Sequence, residues 1–404
     1  MVSLLLAPFN VSMRLGQGYN SFLQLPCIEG AVEILQDSLK TQAARDGGVG
    51  NASQVVSYSS RLVGKISEVV RSMNISAASS IKSGTIETWG NSLSVDGAKF
   101  AASDLNAVVS VKVINRECPD AHHSTKTERP FSNPMNNVKM DSEKFFDYYG
   151  DCYISDIIRF IEGGDLQGIV SIKIPDISKK SQVEAALKGA INCGSSNEFT
   201  LSEGPSLGDL NATLSETETT VTVSWSGGGQ IMLDHEEWNL ELLMKAASAF
   251  PTRVASCPQR TWAILTKYDS NSNFVEWADR CHIKVPHFEK ATQISFDLLD
   301  DFIEYKNNLV RIQAVMADQG SFEKSPHKNP VGLGVQALVA ERKLLKAEMG
   351  RIVEVVDQLN KDPSGTPATE IQSPKEWAAR LPIRKETATS SSSSADSSGP
   401  WPTA

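Results

Sequence analysis

The sequence predicts an α+β protein in which a mostly antiparallel sheet is followed by a pair of long helices. Short, alternating, Ser/Thr-rich segments recur between residues 74 and 225. From about residue 236 the apolar residues fall at helical spacing instead. The size agrees: 404 residues, 40% hydrophobic and 22% charged, can bury a sizeable core and leave room for an appendage.

Taken in chain order, Met1–Phe9 reads as an opening strand. Its apolar run has no basic flank and breaks at Pro8 with no small-residue cleavage site behind it. A glycine turn follows at Leu15–Asn20, then a helix around 28–40 and a loop at 46–52. A second helix is expected next, because Val55, Leu62, Ile66, Val69 and Met73 share one face at helical spacing. Asp104–Asn115 is β-branched and alternating, the most regular strand pattern in the chain. A loop at 116–140 leads to strands at 166–174 and 220–225. Between those two lie a helix at 178–191 and a polar stretch at 195–219.

Leu298, Phe302, Tyr305, Leu309, Ile312 and Met316 then step by four and three. Leu338, Leu345, Ile352 and Leu359 step by seven, with Met349 and Val356 beside them. These stripes fit helices at 294–317 and 335–359, joined by the loop 318–334 as an antiparallel hairpin; pairing with another chain is the alternative. Residues 361–404, with serines from Ser390 to Ser394, are expected to be disordered. The expected division is therefore a domain at 1–270, a helical hairpin region at 271–360 and a tail at 361–404.

Composition narrows the function. A net charge of −9 and a pI near 5.3 exclude a nucleic-acid partner, since phosphate contacts need clustered Lys and Arg. No stretch approaches the roughly 18 apolar residues of a spanning helix. Six scattered cysteines without a CxxC pair fit reduced thiols. The expected location is cytoplasmic, or outside by a route that leaves no N-terminal mark, and at the membrane once oligomeric.

Enzyme motifs fail on context. Gly204-Pro205-Ser206-Leu207-Gly208 spells a nucleophile elbow, but Asn197–Thr200 before it is no apolar strand and Asn211–Ser215 after it no helix. A hydrolase using Ser206 is the least favoured reading. His235-Glu236-Glu237-Trp238-Asn239 lacks the second zinc-binding His. His122-His123 and Cys281-His282 have no third ligand at usable spacing. Gly16-x-Gly18 lacks a third glycine, and no Walker A pattern exists. No catalytic residue, metal or cofactor is expected.

Two segments alternate more suggestively. Trp89, Leu93 and Val95 occupy odd positions between small and polar residues, and Leu210, Ala212 and Leu214 occupy even ones. This is the pattern of a membrane β-barrel strand and equally of a half-exposed soluble strand.

Phe145-Phe146-Asp147-Tyr148-Tyr149-Gly150-Asp151-Cys152-Tyr153, followed by Gly163-Gly164, is the most informative stretch. It resembles the signature of the membrane attack complex/perforin (MACPF) family, in which Tyr-Gly-Thr-His-Tyr precedes Gly-Gly by six residues. Here Asp151 and Cys152 stand for Thr and His. Nine residues separate Tyr153 from Gly163, with Ile157-Ile158-Arg159 as the extra three. Other motifs follow in the family's order. Leu15–Asn20 is similar to its early glycine turn, and Asn74–Ile81 to its first strand. Ala98-Lys99-Phe100 and Val108–Val113 are similar to its first membrane segment and return strand. Val221–Gly229, Trp238 and Pro251 are similar to its closing strand, glycine pair, Trp and Pro.

The resemblance, to a divergent fungal-type member, spans about residues 5–270. It implies a bent, twisted, mostly antiparallel sheet flanked by helical clusters. In pore-forming members each cluster unfolds into a β-hairpin that enters the bilayer within a ring of subunits. On that pattern Tyr149, Gly150, Tyr153, Gly163, Gly164, Gly227 and Gly228 are the signature and hinge, and the two glycine pairs should meet near a bend in the sheet. Residues 75–107 and 176–224 are then the inserting segments, with Trp89, Leu93, Val95, Leu210, Ala212 and Leu214 as lipid-facing candidates. The implied partners are a lipid membrane, further copies of the chain and a membrane-targeting protein. The alternative is a non-lytic intracellular scaffold of the same fold.

Overall fold

The computed structural model describes residues 5–33, 53–87, 95–116, 140–155, 160–191, 214, 217–232, 237–365, 367 and 369–385. The chain divides into two compact units, residues 1–307 with 347–371 and residues 308–346 with 372–404.

The larger unit is built on one nine-stranded sheet. Its strands are β1 (Leu5–Pro8), β2 (Gly18–Asn20), β3 (Leu25–Pro26), β4 (Ser53–Val63), β5 (Leu105–Arg116), β6 (Cys152–Ile154), β7 (Phe160–Lys173), β8 (Glu218–Ser226) and β9 (Gln259–Lys267). The spatial order is β3-β2-β6-β9-β7-β5-β4, with β1 on β9 and β8 on β7. Every ladder among them is antiparallel. The expected α+β class and antiparallel sheet are what the chain forms.

Facing follows from alternation. Odd positions of β5 (Val109, Val111, Val113) and even positions of β7 (Leu166, Val170, Ile172) form one apolar face. Helices α5 (Lys180–Ile191) and α6 (Leu240–Ser256) cover it through Val183, Leu187, Leu243, Ala247 and Phe250. Gly164 and Gly168 make the seat for α6: a Cβ on Gly164 would lie 2.4 Å from Val254 Cγ2, and one on Gly168 2.4 Å from Leu243 Cδ1. The opposite face is polar, with Ser110 and Lys112 on β5, Asp165 and Gln167 on β7 and Ser224 on β8.

Four expectations are corrected here. Residues 53–63 are a strand, paired with β5 from Ser53↔Arg116 to Val63↔Asn106, and the helix α1 begins only at Ile66 (Ile66–Ser72). Asn74–Ile81, expected as a strand, runs into the helix α2 (Ala77–Ser83), capped by the Ser76 hydroxyl on Ser79 N at 3.0 Å. The region after 236 is not all helix, because β9 follows α6 and sits inside the sheet. The helix expected at 28–40 does not form over 28–33, and the rest of it lies outside the described residues.

The remaining helices of this part are α3 (Gly97–Ala102), α4 (Ser142–Tyr149) and α7 (Ser272–Cys281). The long helices α8 (Glu289–Ala317) and α9 (Val335–Lys361) follow, and each passes from one unit into the other. Their stripes are buried: Phe302, Tyr305 and Ile312 on α8, and Leu338, Leu345, Ile352 and Leu359 on α9.

In the smaller unit the expected disorder from 361 is corrected in part. Helix α10 (Pro374–Arg380) and strand β11 (Ile383–Arg384), paired with β10 (Phe322–Glu323), are ordered parts of the fold. The Arg311 guanidinium donates to the carbonyls of Pro382 at 2.7 Å and Leu381 at 3.2 Å. The Trp377 indole donates to the buried Glu341 carboxylate, which also pairs with Arg380 at 3.4 Å. Ser390–Ser394 lie outside the described residues.

Candidate functional site

The aromatic run is the last turn of α4 and its cap. Tyr149 is fully buried and stacks on Phe145, with ring centroids 4.7 Å apart. Gly150 ends the helix at φ +73°, and a Cβ there would lie 2.2 Å from the Tyr19 carbonyl oxygen. Across the same crossing, a Cβ on Gly18 would lie 2.3 Å from Tyr149 O. Two backbones therefore touch where only hydrogen fits. Tyr268 closes the crossing from β9's end, donating its hydroxyl to Tyr149 O at 3.2 Å, and its ring lies 5.4 Å from that of Tyr153.

The two substituted signature positions are both satisfied. Asp151 accepts from Ser21 N at 2.7 Å and Ser21 Oγ at 2.6 Å, while burial holds its carboxyl above the ordinary carboxylate range. The Cys152 thiol donates to Tyr19 O at 3.2 Å, and burial pushes it well above an ordinary thiol, so it stays protonated and inert.

The two glycine pairs meet. A Cβ on Gly227 would lie 2.4 Å from Gly163 O and 3.0 Å from Gly164 Cα. At this point β7 changes partner along one edge: Phe160–Gly163 pair with β9, and Asp165–Lys173 pair with β8. The β9 ladder shifts register between Ile161 and Glu162, with Thr261 as the extra residue. β8 then leaves the sheet through Gly227, Gly228 and Gly229, all with φ between +68° and +79°. Other residues rarely tolerate such a run.

Upstream, Ile154 pairs with Leu265 and Phe160 with Ala263. Two ladder steps on β9 thus answer six residues on the other strand, an excess of four. Ile157-Ile158-Arg159, the expected insertion, lie outside the described residues.

Against the elbow, on the polar face, lies a cavity of about 590 Å³ walled by Phe9, Met73 and Trp262, with Asp165, Gln167 and Ser224 on its sheet side. Gln167 Nε2 donates to Ser110 Oγ and to Asp165 Oδ1, each at 2.7 Å. Gln167 Oε1 and Asp165 Oδ2 are buried without a hydrogen-bond partner. Burial pushes the Asp165 carboxyl up to about 6, against the pull of Lys112. No sequence signal points to these polar groups, because only the fold places Phe9, Met73 and Trp262 over them.

Of the lipid-facing candidates, Val95 is buried and bridges Ile86, and Leu214 is half-buried against the apolar face. Trp89, Leu93, Leu210 and Ala212 lie outside the described residues, as does Ser206. Among the described residues no group of three His, Cys, Asp or Glu side chains is placed to hold a metal, and no helix is long and apolar enough to cross a membrane.

No family model matches the chain, and no curated protein matches it in sequence. Among solved structures it is similar to stonustoxin, with 8% identity and a TM-score of 0.44, over 90% of this chain and 43% of that one. It is also similar to GNIP1Aa from Chromobacterium piscinae, with 12% identity and a TM-score of 0.29, over 71% of this chain and 59% of that one. The chain spans less than two thirds of either.

Proposed function

We propose that this protein perforates membranes as an oligomer in the MACPF manner, with residues 75–107 and 176–224 leaving the sheet to insert as β-hairpins. One observation carries the reading. In the ladder β4-β5-β7-β8, Val63 pairs with Asn106, Leu105 with Ile172, and Lys173 with Glu218. The strand ends that launch and receive the two excursions therefore stand side by side at one end of the sheet. An excursion that unrolled would lengthen β4 and β5, or β7 and β8, in register with its neighbours. Each is long enough for two membrane strands of about 9–11 residues.

The glycine elbow supports the same reading, because the sheet can change its bend only where backbones meet without side chains between them. The membrane, further copies of the chain and a targeting protein are the partners this function needs. Activity would then lie in a conformational change and not in catalysis.

A disulfide tests it. A Cβ on Gly97 would lie 2.9 Å from Ile303 Cδ1, which makes Gly97→Cys with Ile303→Cys a tie between the first excursion and α8. Exposed Cys257 and Cys281 would first be replaced by serine. Dye release from mixed-lipid vesicles should vanish in the oxidised form and return on reduction, with vesicle binding retained in both. Release that is unchanged by oxidation removes the first excursion from the pore. If the unmodified protein binds vesicles without releasing dye, the non-lytic scaffold takes over.

A further inference from the structure

A second hollow, about 360 Å³, opens on the polar face where β4 and β5 run beneath α1. Its chemistry is of one kind. Arg61 enters from β4, Lys112 from β5 and Arg71 from α1, together with Ser57, Ser59, Ser72 and Ser110, and among the described residues no carboxylate lines it.

The three cations have spare capacity. Arg61 Nη2 donates to Glu68 O at 3.1 Å, and Arg71 Nη2 to Gln293 Oε1 at 3.4 Å. The Arg71 guanidinium lies over Phe296 at 4.4 Å, and the Lys112 ammonium 4.8 Å from the Trp262 ring centroid. Asp165 acts on Lys112 electrostatically, but none of the three cations forms an ion pair with a described residue. Ser110 is buried and accepts from Gln167, which leaves its own proton to donate.

Such a set is nearly all donors. Guanidinium and ammonium groups accept nothing, so an anion is the ligand that such a lining can hold. This occurs in a chain of net charge −9, so it is not the general trend of the surface. Three positive charges match a dianionic phosphate ester better than a single carboxylate. The volume lies near the lower end for small-ligand clefts. Among the described residues no aromatic ring lines the hollow as a platform for a nucleobase.

We propose that this hollow binds the phosphate of a phosphorylated sugar or polyol, whether free or as a lipid headgroup. The bound group would bridge the sheet, through Arg61 and Lys112, to α1, through Arg71 and Ser72. The assignment stands on this lining alone and does not require the pore reading.

Calorimetric titration of the full chain with glucose 6-phosphate and inositol 1,4,5-trisphosphate tests the free form, with glucose as the control. Flotation with phosphatidylcholine vesicles, with and without phosphatidylinositol 4,5-bisphosphate, tests the headgroup. Saturable binding to either phosphorylated probe or to the phosphoinositide vesicles is expected. It should weaken about tenfold for each cation removed in Arg61→Gln and Arg71→Gln. Both residues are exposed, so the unliganded melting temperature should stay near that of the parent. The arm that responds names the source. Equal binding of glucose, binding unchanged in the double variant, or no binding in any arm overturns the proposal.

Discussion

Glycines bring backbones into contact at two places in this molecule, and the surroundings differ. At the crossing of Gly18 and Gly150 the neighbours are aromatic and satisfied: Tyr149 on Phe145, Tyr268 on Tyr149 O, Asp151 on Ser21. At the elbow of Gly163 and Gly227 the neighbours are polar and incompletely satisfied, with Asp165 Oδ2 and Gln167 Oε1 both buried without partners. The first place is closed by stacked rings and met hydrogen bonds, while the second borders a cavity that Asp165 and Gln167 line.

The largest effect separates the two directly. Gly150→Ala would drive a Cβ into the Tyr19 backbone at positive φ, with no flexible side chain to yield. It should cost more than about 4 kcal/mol, read as loss of folded protein or a collapse of the thermal midpoint. Gly228→Ala has the same φ of +73°, but its nearest neighbour is Phe250 Cε2 at 3.2 Å. It should cost only about 1–2 kcal/mol. Equal costs would erase the distinction.

Asp165 gives the next effect, and its sign is specific. Burial raises its folded pKa from 3.8 to about 6, so the folded state holds the proton more tightly than the unfolded chain. Stability should therefore fall as pH rises from about 4 to 6, and stay lowered above that. Asp165→Asn should recover on the order of 2–3 kcal/mol at neutral pH and flatten that slope. Asp151, also raised by burial, would leave a slope of the same sign. Urea titrations across this pH range check it; a stability that rises with pH would contradict the assignment.

The smallest effect lies at the crossing. Tyr268→Phe removes only the hydroxyl that donates to Tyr149 O and should cost about 1 kcal/mol without pH dependence. A larger loss would mean that this region, too, depends on its polar contacts.

How much of this could be read in advance depended on each segment's surroundings. β5, β7, β8 and the long helices each have one wet and one dry face, or one apolar stripe, so their periodicity was visible. β9 was hidden because Thr261–Leu265 are buried in succession inside the sheet, leaving no alternation to detect. β4 was mistaken for a helix because Val55 and Leu62 sit one heptad apart and α1 continues the stripe from Ile66. The glycine pairs were legible as a motif. The Asp165–Gln167 floor was not, since no local pattern reveals what a distant segment places over a polar row.

The excess of four residues between Ile154 and Phe160 has a consequence of its own. Four is even, and both residues turn to the same small cluster around Ala7 and Ala263. The facing of β7, and with it the side on which Gly164 and Gly168 receive α6, is thus kept in phase across the interruption. Shortening the interruption by two residues, or removing residues 156–159 entirely, should leave that phase unchanged. Removing three would turn the strand over and present Asp165 and Gln167 to the helix unless a bulge took up the odd residue, as Thr261 does on β9.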